Sequence, residues 1–253
     1  MDHDPVIDAR ALVQACFPQA RWALLTGSVL TDDRTAGSDL DIVVLLPVPA
    51  GDPPPPYRES RHYRTWPVEL FVHDEASLAH YLATELAQRK PHLRRMIARG
   101  IFLVGEATEL QEQCAAALAA GPTALTATER ELARYGLTDL IDDLVHAVDP
   151  GERAVITMAL WTDTARQALA LADHWVGGGK WLLRELRAMD PLVAERWLGA
   201  RGDAAAVTAV AREVLDRAGG PLFDGFRAAG ERASVPPPSR APGEGASVSG
   251  GRA

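Results

Sequence analysis

Apolar residues in the first half of the chain recur with two different periods, and each period predicts a different kind of element. Helical spacing predicts helices over residues 5–20, 74–86 and 93–97. Short apolar runs predict strands over residues 22–26, 39–46 and 101–104, and one or two further strands over residues 61–72, broken near Pro67. We therefore predict that residues 1–121 form an α/β domain in which a small mixed sheet packs against helices.

Strand patterns stop after Gly105, and the remaining apolar residues follow helical spacing. Thr126 and Glu129 have the spacing of a capping box, which predicts a helix start. Helices are predicted over residues 110–120, 126–148, 154–176, 181–189, 191–200 and 204–218. Residues 122–232 are thus expected to form an all-α helical bundle. In residues 233–253, 12 of 21 residues are Pro, Gly or Ser, which predicts a disordered tail because so little apolar area can be buried.

Two aspartates stand at the start of the strand predicted over residues 39–46. Side chains alternate along a strand, so Asp39 and Asp41 project from the same face, about 7 Å apart. Adjacent carboxylates repel each other unless a cation lies between them, and their oxygens suit Mg²⁺. Gly27 and Ser28 follow the preceding strand, where Gly allows close backbone approach and Ser offers a hydroxyl and an N–H to a phosphate oxygen. The combination predicts a site for a metal ion and a nucleotide.

A third acid is predicted at Glu69, the one charged residue in the apolar run from Val68 to Val72. Val68, Leu70 and Val72 alternate to one face, so Glu69 shares the other face with Phe71. A carboxylate in a strand is costly to bury unless it is paired or bound to a metal. The alternative is an edge-strand glutamate that points to solvent.

The order of these features resembles the nucleotidyltransferases of the DNA polymerase β superfamily. Their hallmark is a Gly-Ser pair, about ten residues, and then a strand with an acid-apolar-acid start. In this chain Gly27 and Ser28 are followed by ten residues and then by Asp39-Leu40-Asp41. The resemblance implies that both aspartates hold Mg²⁺ and take part in catalysis, and that the Gly-Ser pair contacts the phosphates of ATP.

The segment around Glu69 is similar to the aminoglycoside nucleotidyltransferases of that superfamily, in which a glutamate in a Val-Glu-apolar context is the third acid. This likeness implies that Glu69 is a catalytic residue, either as a third metal ligand or as general base. Ser38, beside the first aspartate, is also predicted to bind the nucleotide. In these relatives a helical bundle supplies the acceptor pocket and part of the phosphate site.

A run of three glycines, Gly177 to Gly179, precedes a predicted helix that begins near Lys180. Free N–H groups at a helix start and a nearby ammonium group favour phosphate. The segment is not a Walker motif, because it lacks the leading spacing and the Ser or Thr after Lys. In similar bundles a lysine at this place contacts the triphosphate, so Lys180 is predicted to bind the nucleotide. The alternative is a solvated lysine in a loop.

Three more acids, Asp139, Asp142 and Asp143, fall within one turn of a predicted helix. Like charges four residues apart on a helix are mildly destabilising. The alternatives are a solvated acidic face, an acidic wall that faces a cationic acceptor, and an alternative general base.

Composition limits the partners and the compartment. The net charge of −8 provides no basic face for nucleic acid, which argues against polymerase or tRNA-tailing roles. Cys16 and Cys114 lie in helical surroundings and are expected to be reduced thiols. We see neither a charged-then-apolar N-terminal signal nor an apolar run of about 20 residues, so we expect a cytoplasmic protein without a membrane segment.

Together these features predict an enzyme that transfers a nucleoside monophosphate to a hydroxyl of a small acceptor. The expected donor is ATP, which would supply AMP. The resemblance suggests an aminoglycoside as that acceptor. Alternatives stay open: an AMP transferase acting on protein, a catalytically silent nucleotide-binding regulator, and an antitoxin-like interaction protein. The intact set of three acids argues against a silent regulator, and the covalently attached helical region argues against an antitoxin that needs a separate partner.

Overall fold

The computed structural model describes residues 4–47 and 54–229. The elements in chain order are α1 (Pro5–Cys16), β1 (Trp22–Thr26), β2 (Leu40–Leu45), β3 (Tyr57–Tyr63), β4 (Trp66–His73), α2 (Glu75–Gln88), α3 (His92–Arg99), β5 (Ile101–Val104), α4 (Thr108–Ala120), α5 (Ala127–His146), α6 (Pro150–Leu171), α7 (Lys180–Met189), α8 (Pro191–Gly199) and α9 (Ala204–Arg217). The predicted fold class, an α/β domain followed by a helical region, is confirmed. The tail predicted over residues 233–253 lies outside the described residues, and the domain boundary at residue 121 stays a prediction.

The strands form one mixed sheet in the order β3-β4-β2-β1-β5. β2 and β4 run parallel, and the other neighbouring strands run antiparallel. The central strand β2 is covered on both faces. Leu40, Ile42 and Val44 pack with residues of α1, whereas Val43 and Leu45 pack with residues of α2, α3 and α4. Burial on both faces accounts for the continuous apolar run of this strand.

β3 and β4 form an antiparallel hairpin whose turn lies between Tyr63 and Trp66. Arg64 has a φ of +53°, a left-handed conformation that suits a tight hairpin turn. The predicted break near Pro67 is this turn, which lies two residues before the proline, and Pro67 itself is the second residue of β4. Its missing N–H is tolerated because the pairing with β2 begins one residue later, at Val68.

Helices α5 to α9 share one hydrophobic core. Trp161 and Trp197 stack in it with their ring centroids 4.1 Å apart, and each indole N–H donates to the backbone carbonyl of the other residue. The helix predicted over residues 154–176 begins and ends earlier, as α6. Asp149 caps its N-terminus, and Asp173 adopts a φ of +55°, which a right-handed helix does not continue through.

The helical region is joined to the sheet region through the segment that leads into α7. Val176 N–H donates to Arg89 O over 2.8 Å at the end of α2. Arg95 on α3 forms an ion pair with Glu185 on α7, and both side chains are only 12% exposed. These contacts place α7 beside α3 and next to the end of the sheet that carries the acids.

Both cysteines are free thiols, Cys16 exposed and Cys114 buried. Within residues 4–47 and 54–229, none of the helices combines the length and the apolar character that a bilayer span requires. The longest of the described helices, α6 with 22 residues, carries Glu152 and Arg153 in its first turn and Asp163 and Arg166 in its second half.

Candidate functional site

Three carboxylates meet at one end of the β2–β4 pair. The parallel register places Asp41 beside Glu69, and Asp39 lies two residues before Asp41 on the same face. One carboxylate oxygen from each residue lies within 4.8 Å of one from each of the others, and all three side chains are half-buried. The structure therefore brings together the three acids that the sequence predicted as metal ligands.

Burial and the close approach of the three acids change the pKa of Asp41. Burial, followed by the negative charges of Asp39 and Glu69, raises the pKa of Asp41 from 3.8 to about 7. The positive charges of Arg58 and Lys180 act in the opposite direction. A cluster of oxygen donors that is unfavourable when fully charged fits a divalent cation, which would add positive charge at the point where the acids repel each other.

Gly27 lies directly against the carboxylate of Asp41. Its φ of +92° is in the left-handed region, and a Cβ at this position would overlap the Asp41 side chain, lying only 3.2 Å from Cγ. Only glycine fits both requirements. The backbone can therefore pass beside the acid, and Ser28 then begins a short 3₁₀ turn, Ser28–Leu30, at the edge of the cluster.

Ser38 lies next to this turn, in a buried position with 5% of its surface exposed. Its Oγ accepts a hydrogen bond from Thr35 N over 2.9 Å and shares another with Ser28 Oγ, also over 2.9 Å. Ser38 therefore connects the loop before β2 to the Gly-Ser turn. These bonds orient the Ser28 hydroxyl, which is less buried than that of Ser38.

Arg58 on β3 belongs to the site, and sequence reasoning missed it. Its Nη2 donates to Glu69 Oε2, and its guanidinium lies over the ring of Phe71, 4.6 Å from the centroid. The turn segment Tyr63-Arg64-Thr65-Trp66 contains no Gly or Asn to mark a hairpin, so the pairing of Arg58 follows from the structure. A hairpin turn between Tyr63 and Trp66 places Arg58 opposite Phe71, on the face that Glu69 also uses.

His92, at the start of α3, lies beside this group. Its ring meets the edge of Phe71 with centroids 5.9 Å apart. Burial, followed by the positive charges of Arg58 and Arg95, lowers the pKa of His92, while Glu69 opposes that change. A neutral imidazole is thus favoured here near neutral pH.

Lys180 is exposed at the first turn of α7, and its positive charge opposes the rise in the pKa of Asp41. The structure therefore places Lys180 within electrostatic range of Asp41, although the two residues are about 140 positions apart in the chain. Arg184, one turn further along α7, forms an ion pair with Asp33 over 2.7 Å. Asp33 belongs to the loop between Ser28 and Ser38, so the pair links α7 to the loop that shapes the site.

Trp181 is held between two guanidinium groups on this side of the site. Arg95 lies 4.0 Å and Arg184 lies 4.9 Å from the ring centroid. Such cation–π contacts, with the Arg95–Glu185 ion pair, hold the start of α7 against the sheet region. The sequence did not predict these contacts, because they depend on how the two regions pack together.

The other acids singled out in the sequence stand apart from these contacts. Asp139, Asp142 and Asp143 are exposed on α5. Two cavities of ≈ 280 and ≈ 730 Å³ occur around Met189 in the helical region and between α2 and α4, and neither is lined by the three acids of the cluster.

Comparison with known proteins adds little beyond the architecture. No protein-family model matches the chain. No curated protein matches it either. Among solved structures, the chain is similar to a nucleotidyltransferase-like protein from Exiguobacterium sibiricum 255-15, with 14% identity and a TM-score of 0.46, over 85% of this chain and 75% of that one. Similarity at this level carries no activity from one protein to the other, so the function has to be inferred from the site itself.

Proposed function

We propose that this protein is a nucleotidyltransferase that moves a nucleoside monophosphate, AMP from ATP, to a hydroxyl of a small molecule. The observation that carries the proposal is the set of three carboxylates on neighbouring strands, with oxygens within 4.8 Å of one another, beside a Gly-Ser turn. Oxygen-rich sites of this kind, next to backbone N–H groups, suit a divalent cation that accompanies a polyphosphate.

The residues that would hold the cation are Asp39, Asp41 and Glu69, and Mg²⁺ is the ion that this donor set favours. The donor set is all oxygen, and the raised pKa of Asp41 reflects a need for positive charge that Arg58 and Lys180 meet only in part. When bound, the cation would neutralise triphosphate charge and polarise the phosphorus that is attacked.

The phosphate side of the site is formed by groups that donate hydrogen bonds or carry positive charge. Ser28 offers its N–H and hydroxyl to the leaving pyrophosphate, and Gly27 allows the phosphate oxygens to approach the backbone closely. Ser38 acts through its hydrogen bond to Ser28. Lys180 supplies a charge from the helical region that is already near Asp41.

The acceptor side follows from the chemistry of an attacking hydroxyl. That hydroxyl loses a proton as the new P–O bond forms, and Glu69 is the carboxylate available either to take this proton or to complete the metal ligands. The helical region would supply the surface on which the acceptor lies. An aminoglycoside is one acceptor to test, and a hydroxyl of a protein is another.

Labelled triphosphates test the proposal directly. Purified protein, Mg²⁺ and α-labelled ATP, GTP, CTP or UTP would be incubated with aminoglycosides, nucleosides and protein extracts. We expect release of pyrophosphate and transfer of label to an acceptor, with ATP as donor, and loss of both signals in Asp41→Asn. Tight nucleotide binding without transfer to any acceptor would contradict the enzymatic function and favour a regulatory nucleotide-binding protein.

A further inference from the structure

Arg58 has contacts that the proposed reaction does not use. Its guanidinium is held at two points, over the ring of Phe71 and on the Oε2 atom of Glu69. The side chain of Arg58 is 57% exposed and that of Glu69 is 30% exposed. The ion pair is therefore well oriented and still open to exchange with solvent and with other cations.

This ion pair uses the carboxylate that a third metal ligand would need. Arg58 occupies Oε2 of Glu69, and its positive charge opposes a second cation at Oε1, so Asp39 and Asp41 are the carboxylates more open to a divalent cation. Two carboxylates match the charge of one divalent ion, and one guanidinium matches the charge of the remaining carboxylate. The guanidinium of Arg58 thus balances the charge of Glu69, and a divalent cation from solution would balance the charges of Asp39 and Asp41.

We propose that Arg58 competes with the divalent cation for Glu69, so that the nucleotide-free protein binds one divalent ion at Asp39 and Asp41. Arg58 is then a positioning residue that sets how many carboxylates the ion can use. To gain Glu69 as a ligand, the ion has to displace this charge-assisted hydrogen bond or bind at Oε1 beside the guanidinium. This inference rests on the proposed function only for the nature of the ligand.

Two substitutions of Arg58 separate its charge from its shape. Arg58→Met keeps most of the apolar stem over Phe71 and frees Glu69, so the affinity for a divalent ion should increase about 10-fold, the lower end for a hydrogen bond to a charged group. Arg58→Lys keeps the charge but loses the planar group, so its affinity should lie between those of the parent and of Arg58→Met.

Arg61 provides the matched control. It lies on the same strand but opposite Val68, so it uses the other face of the sheet, where it pairs with Glu59 over 3.4 Å. Arg61→Met removes the same charge from β3 without touching Glu69. We expect it to change the affinity for the ion by less than about 2-fold, because that face is separated from the acids by the sheet.

The experiment is a titration of the full chain with Mn²⁺ without nucleotide, in which the free ion is followed by electron paramagnetic resonance. We expect one ion per chain in the parent, the tightest binding in Arg58→Met, intermediate binding in Arg58→Lys and parent-like binding in Arg61→Met. Equal affinities in Arg58→Met and the parent, or two equivalent ions in the parent, would overturn the competition by Arg58. A parent that binds no Mn²⁺ but transfers nucleotide normally would overturn it as well.

The same titration separates this inference from the function on which it rests. Binding of one ion that Asp41→Asn abolishes, combined with no effect of Arg58→Met, would contradict the role of Arg58 alone. Absence of both ion binding and nucleotide transfer in the parent would contradict the proposed function itself. Thermal melting of each variant shows that the protein is folded, and the exposed position of Arg58 makes loss of folding an implausible source of tighter ion binding.

Discussion

Asp41 on β2 and Glu69 on β4 are register partners in a parallel strand pair. Register partners on parallel strands point their side chains to the same face of the sheet, at the same level along the strands. The carboxylates of Asp41 and Glu69 therefore face the same space although they come from separate strands. Asp39 joins them by strand alternation, and Gly27 leaves room for Asp41 at the end of β1. The acidic cluster is thus a consequence of strand order as much as of the acidic residues themselves.

Replacing either aspartate by asparagine should abolish nucleotide transfer and leave the fold intact. An amide has nearly the shape of a carboxylate but lacks the charge that binds a divalent ion. The measurements are pyrophosphate release and Mn²⁺ binding for Asp39→Asn and Asp41→Asn. Asp142→Asn, an exposed change on α5, is the control and should behave as the parent does. Near-parent turnover in either site variant would contradict the assignment of a metal site.

The stability of the ion-free protein should decrease as pH rises from about 4 to 7 through Asp41. Its folded pKa of about 7 lies above the ordinary 3.8, so the folded state keeps the proton longer and loses free energy of unfolding as that proton leaves. The full shift corresponds to roughly 4 kcal/mol, which solvent contact reduces to about 2 kcal/mol.

Denaturant unfolding of the parent and of Asp41→Asn between pH 4 and 8 measures this effect. The variant should be more stable than the parent by about 2 kcal/mol at pH 8, with a difference near zero at pH 4. Added Mg²⁺ should stabilise the parent at pH 8 and leave the variant unchanged. A difference that is constant with pH would show that Asp41 does not titrate in this range.

Glu69→Gln should lower the rate of transfer without abolishing nucleotide binding. The two aspartates remain to seat one ion, whereas a carboxylate that takes the proton of the acceptor is lost. Single-turnover rates and nucleotide titration distinguish these effects. Glu59→Gln, on the other face of β3, is the matched control. Loss of nucleotide affinity together with activity would make Glu69 a metal ligand instead of the base.

Lys180→Ala should raise the nucleotide KM and leave the acceptor KM nearly unchanged. A charged contact to a phosphate is worth about 1.5–3 kcal/mol, or roughly 10- to 150-fold in affinity. The other lysine of the sequence, Lys90, is exposed at the end of α2 and provides the control variant Lys90→Ala. If nucleotide titrations of the two variants coincide, Lys180 is a solvated residue and the helical region binds only the acceptor.

Gly27→Ala should destabilise the protein and weaken Mn²⁺ binding, although it adds only one methyl group. The new Cβ would face the Asp41 carboxylate and would force a left-handed φ on alanine. We expect a loss of about 1–3 kcal/mol in unfolding free energy and weaker Mn²⁺ binding. Gly37→Ala is the control in the same loop region, where the nearest atom to a new Cβ is 4.0 Å away and φ is not left-handed. Equal effects of the two changes would argue against close packing of Gly27 on Asp41.

The local chemistry of the site could be predicted from the sequence because it depends on spacing within single elements. Alternation along one strand places Asp39 and Asp41 on one face, and a lone charge in an apolar run identifies Glu69. The capping box at Thr126 correctly predicts the start of α5, since a cap depends on residues three positions apart. The sequence alone therefore determined the fold class and the three acids.

Only the tertiary structure decided which strands are neighbours and which helix reaches the acids. Arg58 pairs with Glu69 because the hairpin turn is between Tyr63 and Trp66, and not at the proline. Lys180 approaches Asp41 because α7 packs beside α3. These relationships join residues on different elements. They follow from burying both faces of β2 and the core of α5–α9, which depends on how all the elements pack and not on the sequence pattern within one element.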